Sequence, residues 1–226
     1  MLISSWYMRM RRLLTRTALA MKRLGYQPGL RVEARRVRDL SAGARWVYLR
    51  RMFAARPYEG RLGVKIRQQP PSSVLFVCHG NIMRSALAEA ILTQQLDRTA
   101  DGFKLVVRSA GLHAVLGTPA DSRMQRAAQG IGTSLERHRA SPLSLEHLRK
   151  SDLIFVMDRL NEAELLARAP FAESKLFLLG ELHPSSEHGV EIPDPFSDDD
   201  VAAEMCAQRI SCCVATLTSV LAAQQR

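Results

Sequence analysis

The residues that can do chemistry lie close together around one short loop. Cys78 and Arg84 bound a seven-residue segment, and Ser85 follows directly. A cysteine thiolate is a strong nucleophile, and the planar guanidinium of arginine can hold two phosphate oxygens at once. The Ser85 hydroxyl is placed to hydrogen-bond the Cys78 sulfur, which would stabilise the thiolate. These residue types at this spacing predict a phosphate site with Cys78 as the nucleophile.

A candidate proton donor lies more than a hundred residues later. Asp194 stands between Pro193 and Pro195, which favour a stiff, extended loop. The carboxyl group can protonate a departing oxygen and then activate the water that hydrolyses a phosphocysteine. This scheme needs no metal and no other cofactor. The histidines and carboxylates also show no spacing that is typical of metal ligands.

The sequence around Cys78 predicts a strand, a loop and a helix. Val74 to Val77 is a short apolar run, and the apolar residues after Ser85 recur at helical spacing. The loop N–H groups and the helix N-terminus can then face one tetrahedral dianion. We expect the substrate to contact Ser85 and the loop residues His79, Gly80, Asn81, Ile82 and Met83. Met83 is interpreted as a space-filler, and His79 either touches the pocket rim or covers its exposed side.

The rest of the second part of the chain alternates apolar strands with helical patterns. Predicted strands cover 104–108, 152–157 and 175–179, and predicted helices cover 122–129, 143–150, 160–168 and the stretch after 200. Such alternation is typical of a parallel sheet with helices on both faces and a ligand at the carboxyl ends of the strands. We therefore predict an α/β fold with four parallel strands. Three cysteines, Cys206, Cys212 and Cys213, are interpreted as core residues of the last helix.

Charge divides the chain unevenly. Residues 1–70 contain 17 Lys and Arg against 3 Asp and Glu, whereas the remainder contains 15 against 19. We place the domain boundary at the polar, proline-bearing joint near Pro70 and Pro71. Residues 1–71 are then a basic extension, partly helical or flexible, and residues 72–226 the main domain. A helix around 42–55 carries Trp46, whose ring could pack on that domain.

Residues 1–24 have the pattern of a basic amphipathic helix. Such a helix can make weak contact with an anionic membrane surface. A solvated arm, a partner-docking helix and a wrongly chosen upstream start codon also fit this pattern. The basic residues are not accompanied by a recognisable nucleic-acid-binding module, which disfavours nucleic acid as a partner. Basic residues interrupt the apolar stretches and no run of about 20 apolar residues occurs, so we expect no secretory signal and no transmembrane helix. The four cysteines do not have the pattern of a disulfide framework, which favours a location in the reducing cytoplasm.

The chain resembles the low-molecular-weight protein tyrosine phosphatase family over residues 73–223. The matching segments follow one another in the family's order: residues 74–85, then 88–89, 109–111, 119–121, 138–140, 152–158 and 194–196. The segment 109–121 looks most like the bacterial members that oppose tyrosine autokinases in capsule or exopolysaccharide production. The resemblance implies a phosphotyrosine protein substrate. Weak membrane association of the basic extension would bring the domain near a membrane-bound tyrosine kinase as a partner, which places the protein in the cytoplasm or at the inner face of the membrane.

The resemblance also implies roles for individual residues. It makes Cys78 the nucleophile, Arg84 the phosphate binder and Asp194 the general acid. It further implies that a hydrogen-bonded network of Asn81, Ser85, Ser109 and His138 holds the loop in its shape, with Asn81 at positive φ.

The chain departs from the family at three positions and leaves two other functions open. Met83 stands where many members have a second cysteine, Ala86 replaces a usual proline, and Phe196 replaces a frequent tyrosine. Without the second cysteine, no protective disulfide can form there with Cys78. Thiol-linked arsenate reduction would need two relay cysteines. A phosphoprotein-binding adaptor would retain the loop without catalysis.

Overall fold

The computed structural model describes residues 37–53, 61–98, 104–185, 187 and 189–223. Residues 41–226 form one compact unit. The predicted amphipathic helix within residues 1–24 lies outside the described residues, so the structure does not address its predicted contact with a membrane surface or a partner.

The fold is built on a parallel sheet. Its strands are β1 (Ser73–Cys78), β2 (Val106–Gly111), β3 (Leu153–Val156) and β4 (Leu176–Leu178), in the order β2-β1-β3-β4. All neighbouring strands run parallel, and Cys78 at the end of β1 lies opposite Gly111 at the end of β2. The predicted four-stranded parallel sheet is therefore confirmed, and its carboxyl ends meet where β1 delivers Cys78.

Helices cover both faces of the sheet. They are α1 (Ala42–Phe53), α2 (Arg61–Gln68), α3 (Arg84–Asp97), α4 (Ser122–Gly130), α5 (Leu145–Lys150), α6 (Arg159–Arg168) and α7 (Asp200–Ala222). Strand β1 alternates its side chains between two apolar clusters. Phe76 packs with residues of α2, α3, α4 and α7, whereas Leu75 packs with residues of α5 and α6. Burial on both faces explains why β1 is apolar from Val74 to Val77.

The prediction for β2 was wrong at both ends. It placed a strand over 104–108 and a loop from Ser109, but the strand runs from Val106 to Gly111. The reason is that β2 pairs with the full length of β1, from Ser73 opposite Val106 to Cys78 opposite Gly111. A partner strand, and not the local apolar run, determines where β2 ends. Ser109 is consequently held by the sheet beside the phosphate loop.

Helix α7 is a core helix with one exposed cysteine. By length and composition alone it could cross a membrane. However, its buried residues include Cys206, Ile210, Cys213 and Leu217, which pack into the main apolar cluster. The interpretation of the three cysteines as core residues was wrong for Cys212, which is exposed. Cys212 directly precedes the buried Cys213, and successive helix positions point about 100° apart.

Helix α1 belongs to the compact unit and packs against α6. The ring of Trp46 does not provide the contact that its position in the helix suggested, because it is 64% exposed. Among the residues of this helix whose burial is described, Ala44 and Arg51 are buried. The boundary near residue 71 remains a prediction about where the family domain begins.

Arg51 joins α1 to the domain through buried charge. Its side chain is 3% exposed, its Nε lies 3.4 Å from Oε1 of Glu162, and its Nη2 lies 2.8 Å from Oε1 of Glu173. The side chain of Glu162 is only 2% exposed. Removal of one partner of a buried ion pair is costly, since it strands the other charge in a poorly solvated place.

We expect Arg51→Met to lower the free energy of unfolding by about 3 kcal/mol, measured by urea denaturation. Arg159 stays 3.5 Å from Glu162 and limits the loss. Arg50→Met is the matched control, because Arg50 also faces Glu173 but is half exposed. Exposed pairs contribute about 0–1 kcal/mol, so Arg50→Met should have a small effect. Equal destabilisation by the two variants would contradict the buried pair as the cause.

Candidate active site

Strand β1 and helix α3 place Cys78 and Ser85 in contact. The Cys78 sulfur lies 3.0 Å from Oγ of Ser85 and accepts a hydrogen bond from the N–H of Asn81 at 3.3 Å. Cys78 is 3% exposed, at the end of a buried strand. The thiol therefore sits at the base of the loop, where two donors can stabilise a negative sulfur.

Arg84 begins α3, and its guanidinium is held between two carboxylates. Nη1 lies 2.7 Å from Oδ2 of Asp158 and donates to the carbonyl of Ile192 at 3.0 Å, while Nη2 lies 2.9 Å from Oδ2 of Asp194. Burial opposes the charge of Arg84, but attraction to Asp194, Asp158 and Cys78 outweighs it and raises the pKa of the guanidinium. Arg84 is therefore a fixed cation at the base of the loop.

The two carboxylate contacts of Arg84 differ. Asp158 accepts a hydrogen bond from Nη1, whereas Nη2 and Asp194 are close in distance without the geometry of a hydrogen bond. We infer that Asp158 orients the guanidinium and that Nη2 is the nitrogen most readily redirected to a phosphate oxygen. Asp158 lies in a segment that matches the family, but the sequence pattern alone indicates no role for it. The one sequence feature that could have indicated a role for Asp158 is its position directly after a predicted buried strand.

Asn81 is the centre of a hydrogen-bonded network with a fixed direction. Its φ of 54° lies in the left-handed region, as expected from the resemblance. Its Oδ1 accepts from the N–H of Ser141 at 2.8 Å, which fixes the orientation of the amide. Its Nδ2 then donates to Ser85 at 2.9 Å and to Ser109 at 2.7 Å. Nε2 of His138 lies 2.6 Å from the Asn81 carbonyl, to which it can only donate.

The network directs a proton to the nucleophile. Because Ser85 accepts from Asn81, its own hydroxyl proton can point to the Cys78 sulfur 3.0 Å away. Ser109 likewise accepts from Asn81 and donates to Oε2 of Glu89 at 2.5 Å. All four residues of the expected network meet, and the structure adds Glu89. Glu89 lies in a segment that matches the family, but the sequence pattern indicates no function for it.

Gly111 lets β2 approach the loop closely. A Cβ atom at this position would lie 2.8 Å from the backbone nitrogen of Asn81 and 2.8 Å from the carbonyl carbon of Gly80. Real Cβ atoms do not come so near to backbone, so a larger residue would displace the loop. The need for glycine comes from this contact between β2 and the loop, which the local sequence does not reveal.

The loop that carries Asp194 is tied to the rest of the site by Arg123. The guanidinium donates to Asp121, to the carbonyl of Asp198 at 2.6 Å and to the carbonyl of Phe196 at 3.1 Å. It also lies 5.9 Å from the centre of the Phe196 ring. The N–H of Asp121 in turn donates to the carbonyl of Ile82 in the phosphate loop. Arg123 thus links the Asp194 loop to the phosphate loop.

Cys206 supports the Asp194 loop and is a poor candidate for a redox relay. Its sulfur lies 3.9 Å from the carbonyl oxygen of Pro193. Burial raises the pKa of the Cys206 thiol to about 12, which keeps it protonated at neutral pH. Burial likewise raises the pKa of Cys213 to about 12. Neither residue offers the thiolate that an arsenate-reducing relay would require.

The other predicted loop residues occupy different surroundings. Met83 is 3% exposed and belongs to the main apolar cluster, as expected of a space-filler. Ile82 is half-buried against the same cluster, and Gly80 is also half-buried.

His79 is exposed and stacks on His113, with ring centres 4.6 Å apart. The sequence showed no metal-ligand spacing, yet the fold gathers possible ligand atoms of His79, His113 and Glu164 within 4.8 Å.

We expect Asn81→Ala to lower kcat by roughly 100-fold with a smaller change in KM. The reason is that the loop loses its bracing and an alanine is strained at positive φ, so the catalytic groups shift by a fraction of an ångström. Aryl phosphate hydrolysis measures the effect. Gln94→Ala is the control, since Gln94 also lies on α3 but its side-chain amide forms hydrogen bonds with Gly132 and Thr133, away from the phosphate loop. An Asn81→Ala enzyme with unchanged kcat would exclude this bracing role.

Comparison with known proteins gives a consistent set of relatives. The family model described as "Low molecular weight phosphotyrosine protein phosphatase" matches residues 73–226. The phosphatase Ptp of Acinetobacter johnsonii is 34% identical over 146 residues, which cover 65% of this chain and 95% of Ptp. Etp of Escherichia coli K12 is 37% identical over 133 residues, which cover 59% of this chain and 83% of Etp. These findings confirm the resemblance to the bacterial type.

Solved structures confirm the fold. The tyrosine phosphatase AmsI of Erwinia amylovora superposes with a TM-score of 0.59 at 30% identity, covering 66% of this chain and 92% of AmsI. The arginine phosphatase YwlE of Geobacillus stearothermophilus superposes with a TM-score of 0.61 at 27% identity, covering 69% of this chain and 96% of YwlE. Both have phosphatase activity by name, but they differ in the phosphorylated residue.

Proposed function

The chain belongs to the low-molecular-weight phosphotyrosine protein phosphatase family and is a cysteine-dependent protein-tyrosine phosphatase, and on this premise we propose that it opposes a bacterial tyrosine autokinase in exopolysaccharide production. We assign the catalytic roles to Cys78, Arg84 and Asp194. The observation that carries this assignment is their convergence. The arginine that begins α3 lies 2.9 Å from Asp194, and Ser85 beside it lies 3.0 Å from the Cys78 sulfur.

In the first step, the Cys78 thiolate attacks phosphorus and the bond to the tyrosine oxygen breaks. Arg84 and the loop N–H groups stabilise the charge on the three non-bridging oxygens. Asp194 gives its proton to the departing phenolate, so that tyrosine leaves as a neutral phenol. The contact between Asp194 and Arg84 supports this role, because a phosphate dianion that takes over Nη2 would bring the acid next to the leaving oxygen.

In the second step, water hydrolyses the phosphocysteine. Asp194, now ionised, accepts a proton from the water as its oxygen attacks phosphorus. The bond from phosphorus to sulfur breaks, and Cys78 departs as a thiolate that Ser85 and the Asn81 N–H stabilise. The products are inorganic phosphate and the restored enzyme. No metal ion takes part in either step.

An aromatic substrate suits the surface next to the loop. Val115 and Leu116 are 72% and 75% exposed, and Phe196 is 54% exposed. They belong to the two segments, around 112–121 and 194–198, that adjoin the phosphate loop. Exposed apolar side chains in such places can contact the phenyl ring of phosphotyrosine.

Release of phosphate from a panel of peptides tests the substrate assignment. Peptides of one sequence carry phosphotyrosine, phosphoserine or phosphoarginine, and kcat/KM is measured for each. We expect the phosphotyrosine peptide to react fastest by a wide margin. A faster reaction with phosphoarginine would instead align the chain with YwlE, its structural neighbour.

The cellular proposal concerns a membrane-bound tyrosine kinase as the partner and a cytoplasmic location. It rests on the bacterial relatives and on the basic residues that precede the domain. Deletion of the gene should raise tyrosine phosphorylation of the kinase in the membrane fraction and change the yield of exopolysaccharide. Complementation with a Cys78→Ser enzyme should not restore either property. Unchanged phosphorylation after deletion would exclude this kinase as the substrate.

A further inference from the structure

We propose that His79, His113 and Glu164 form a zinc-binding site beside the phosphate loop. One ligand atom from each side chain lies within 4.8 Å of the others. Two imidazoles and a carboxylate are a donor set that holds zinc in proteins, and the fourth position is then open to water or an anion. This site is additional to the phosphatase chemistry, which needs no metal.

The backbone already fixes the distance between the two histidines. His79 directly follows Cys78, and His113 lies two residues beyond the end of β2. The N–H of His113 donates to the carbonyl of His79 at 2.8 Å. Beside it, the N–H of Leu112 donates to the carbonyl of Cys78 at 3.0 Å. The two imidazoles stack with their centres 4.6 Å apart. A metal therefore meets two ligands whose main chains are already held together, which limits the entropy lost on binding.

Helix α6 supplies the carboxylate. The Glu164 side chain is 17% exposed, and its Oε1 lies 2.5 Å from Nε2 of His113. Arg168, one helical turn later, also contacts Oε1, and Arg168 donates to the carbonyl of Leu112 as well. Both contacts of the carboxylate use Oε1, so Oε2 is the oxygen that can turn to the metal. Arg168 repels a cation but holds the Glu164 carboxylate in place, as outer-shell partners of metal ligands do.

Zinc binding requires the carboxylate of Glu164 to turn and one exposed imidazole to move. Ligand atoms around a tetrahedral zinc lie roughly 3.4 Å apart when the bonds are about 2.0 to 2.1 Å long. Rotation of one imidazole out of the stack closes the remaining distance. Both histidines are exposed, so this rotation disturbs no core packing. Nitrogen ligands favour zinc over magnesium and calcium, which prefer oxygen ligands.

Zinc at this site acts on the phosphate loop. It connects the residue after the nucleophile to the segment after β2 and to α6. His79 directly follows the nucleophile in the phosphate loop, so a zinc ion that holds its side chain against α6 is expected to slow turnover. Zinc is consequently a reversible inhibitor that binds outside the catalytic groups.

Direct measurement of zinc binding tests the site. Competition with a chromophoric zinc chelator is measured on the full chain carrying Cys78→Ser, so that the thiolate cannot contribute. We expect one zinc ion per chain, and a loss of affinity of roughly tenfold or more when His113→Asn or Glu164→Gln is added. Glu146→Gln is the matched control, because Glu146 also pairs with a basic residue one turn later, Lys150, but lies outside the cluster. It should leave zinc affinity unchanged.

Three results would overturn the proposal. They are no zinc binding by the Cys78→Ser chain, unchanged affinity in both His113→Asn and Glu164→Gln, or an equal loss in Glu146→Gln. Zinc should also raise the unfolding temperature of Cys78→Ser and have less effect on the His113→Asn form. In the enzyme with Cys78 intact, inhibition by zinc that persists after His113→Asn would place the inhibitory zinc on the thiolate and refute the tether. Phosphatase activity without zinc is independent of all these outcomes.

Discussion

Replacement of Cys78 by serine is expected to lower kcat for aryl phosphates by roughly 10⁴-fold or more, to the level of the background. A serine hydroxyl at the end of β1 would keep the shape of the site and its hydrogen bond to Ser85. However, the surroundings that stabilise a thiolate are insufficient to ionise an alcohol. The loss should lie in the chemical step, because Arg84 and the loop N–H groups remain to bind phosphate.

Two measurements separate this loss from a general disturbance. Inorganic phosphate should still bind to the Cys78→Ser protein, which titration calorimetry can measure. Cys212→Ser is the control, since Cys212 is the exposed thiol on α7, and it should leave kcat and KM unchanged. A Cys78→Ser enzyme with near wild-type turnover would refute the phosphocysteine mechanism altogether.

The sequence predicted the catalytic residues from short local patterns and the supporting network from the family resemblance. Cys78, Arg84 and Ser85 share one strand, loop and helix, so their spacing alone brings them together. Asp194 was recognised by its two flanking prolines, and the resemblance supplied Asn81, Ser109 and His138. A short sequence pattern was sufficient to predict a contact wherever both residues belong to the same short segment of the chain.

The parts that were missed depend on which strands and helices become neighbours. Asp158 contacts Arg84 only because β3 lies beside β1, and Glu89 contacts Ser109 only because β2 pairs up to Gly111. The same pairing makes glycine necessary at position 111. The cluster of His79, His113 and Glu164 joins three distant segments, so no ligand spacing could reveal it. Sheet order determines these contacts, and a single sequence does not encode it in any short pattern.

Replacement of Asp194 by asparagine is expected to lower kcat for phenyl phosphate by roughly 10²- to 10⁴-fold, the usual contribution of a general acid. The amide is similar in shape but cannot give up a proton to the leaving oxygen. It also removes a negative charge 2.9 Å from Nη2 of Arg84. Phosphate binding should therefore be retained or become tighter, while turnover falls. This opposite effect on binding and on rate is the signature of an acid that faces both the arginine and the substrate.

The leaving group distinguishes a proton donor from a residue that merely shapes the loop. A series of aryl phosphates is compared, from nitrophenols that leave readily as anions to plain phenol, which needs a proton. For Asp194→Asn the loss should be small with the best leaving groups and grow steadily towards phenol. Asp198→Asn is the matched control, because Asp198 is an exposed carboxylate in the same loop, and it should have a small effect throughout. If Asp194→Asn slowed every substrate equally, the carboxylate would be positioning Arg84, and the proton donor would have to be another group.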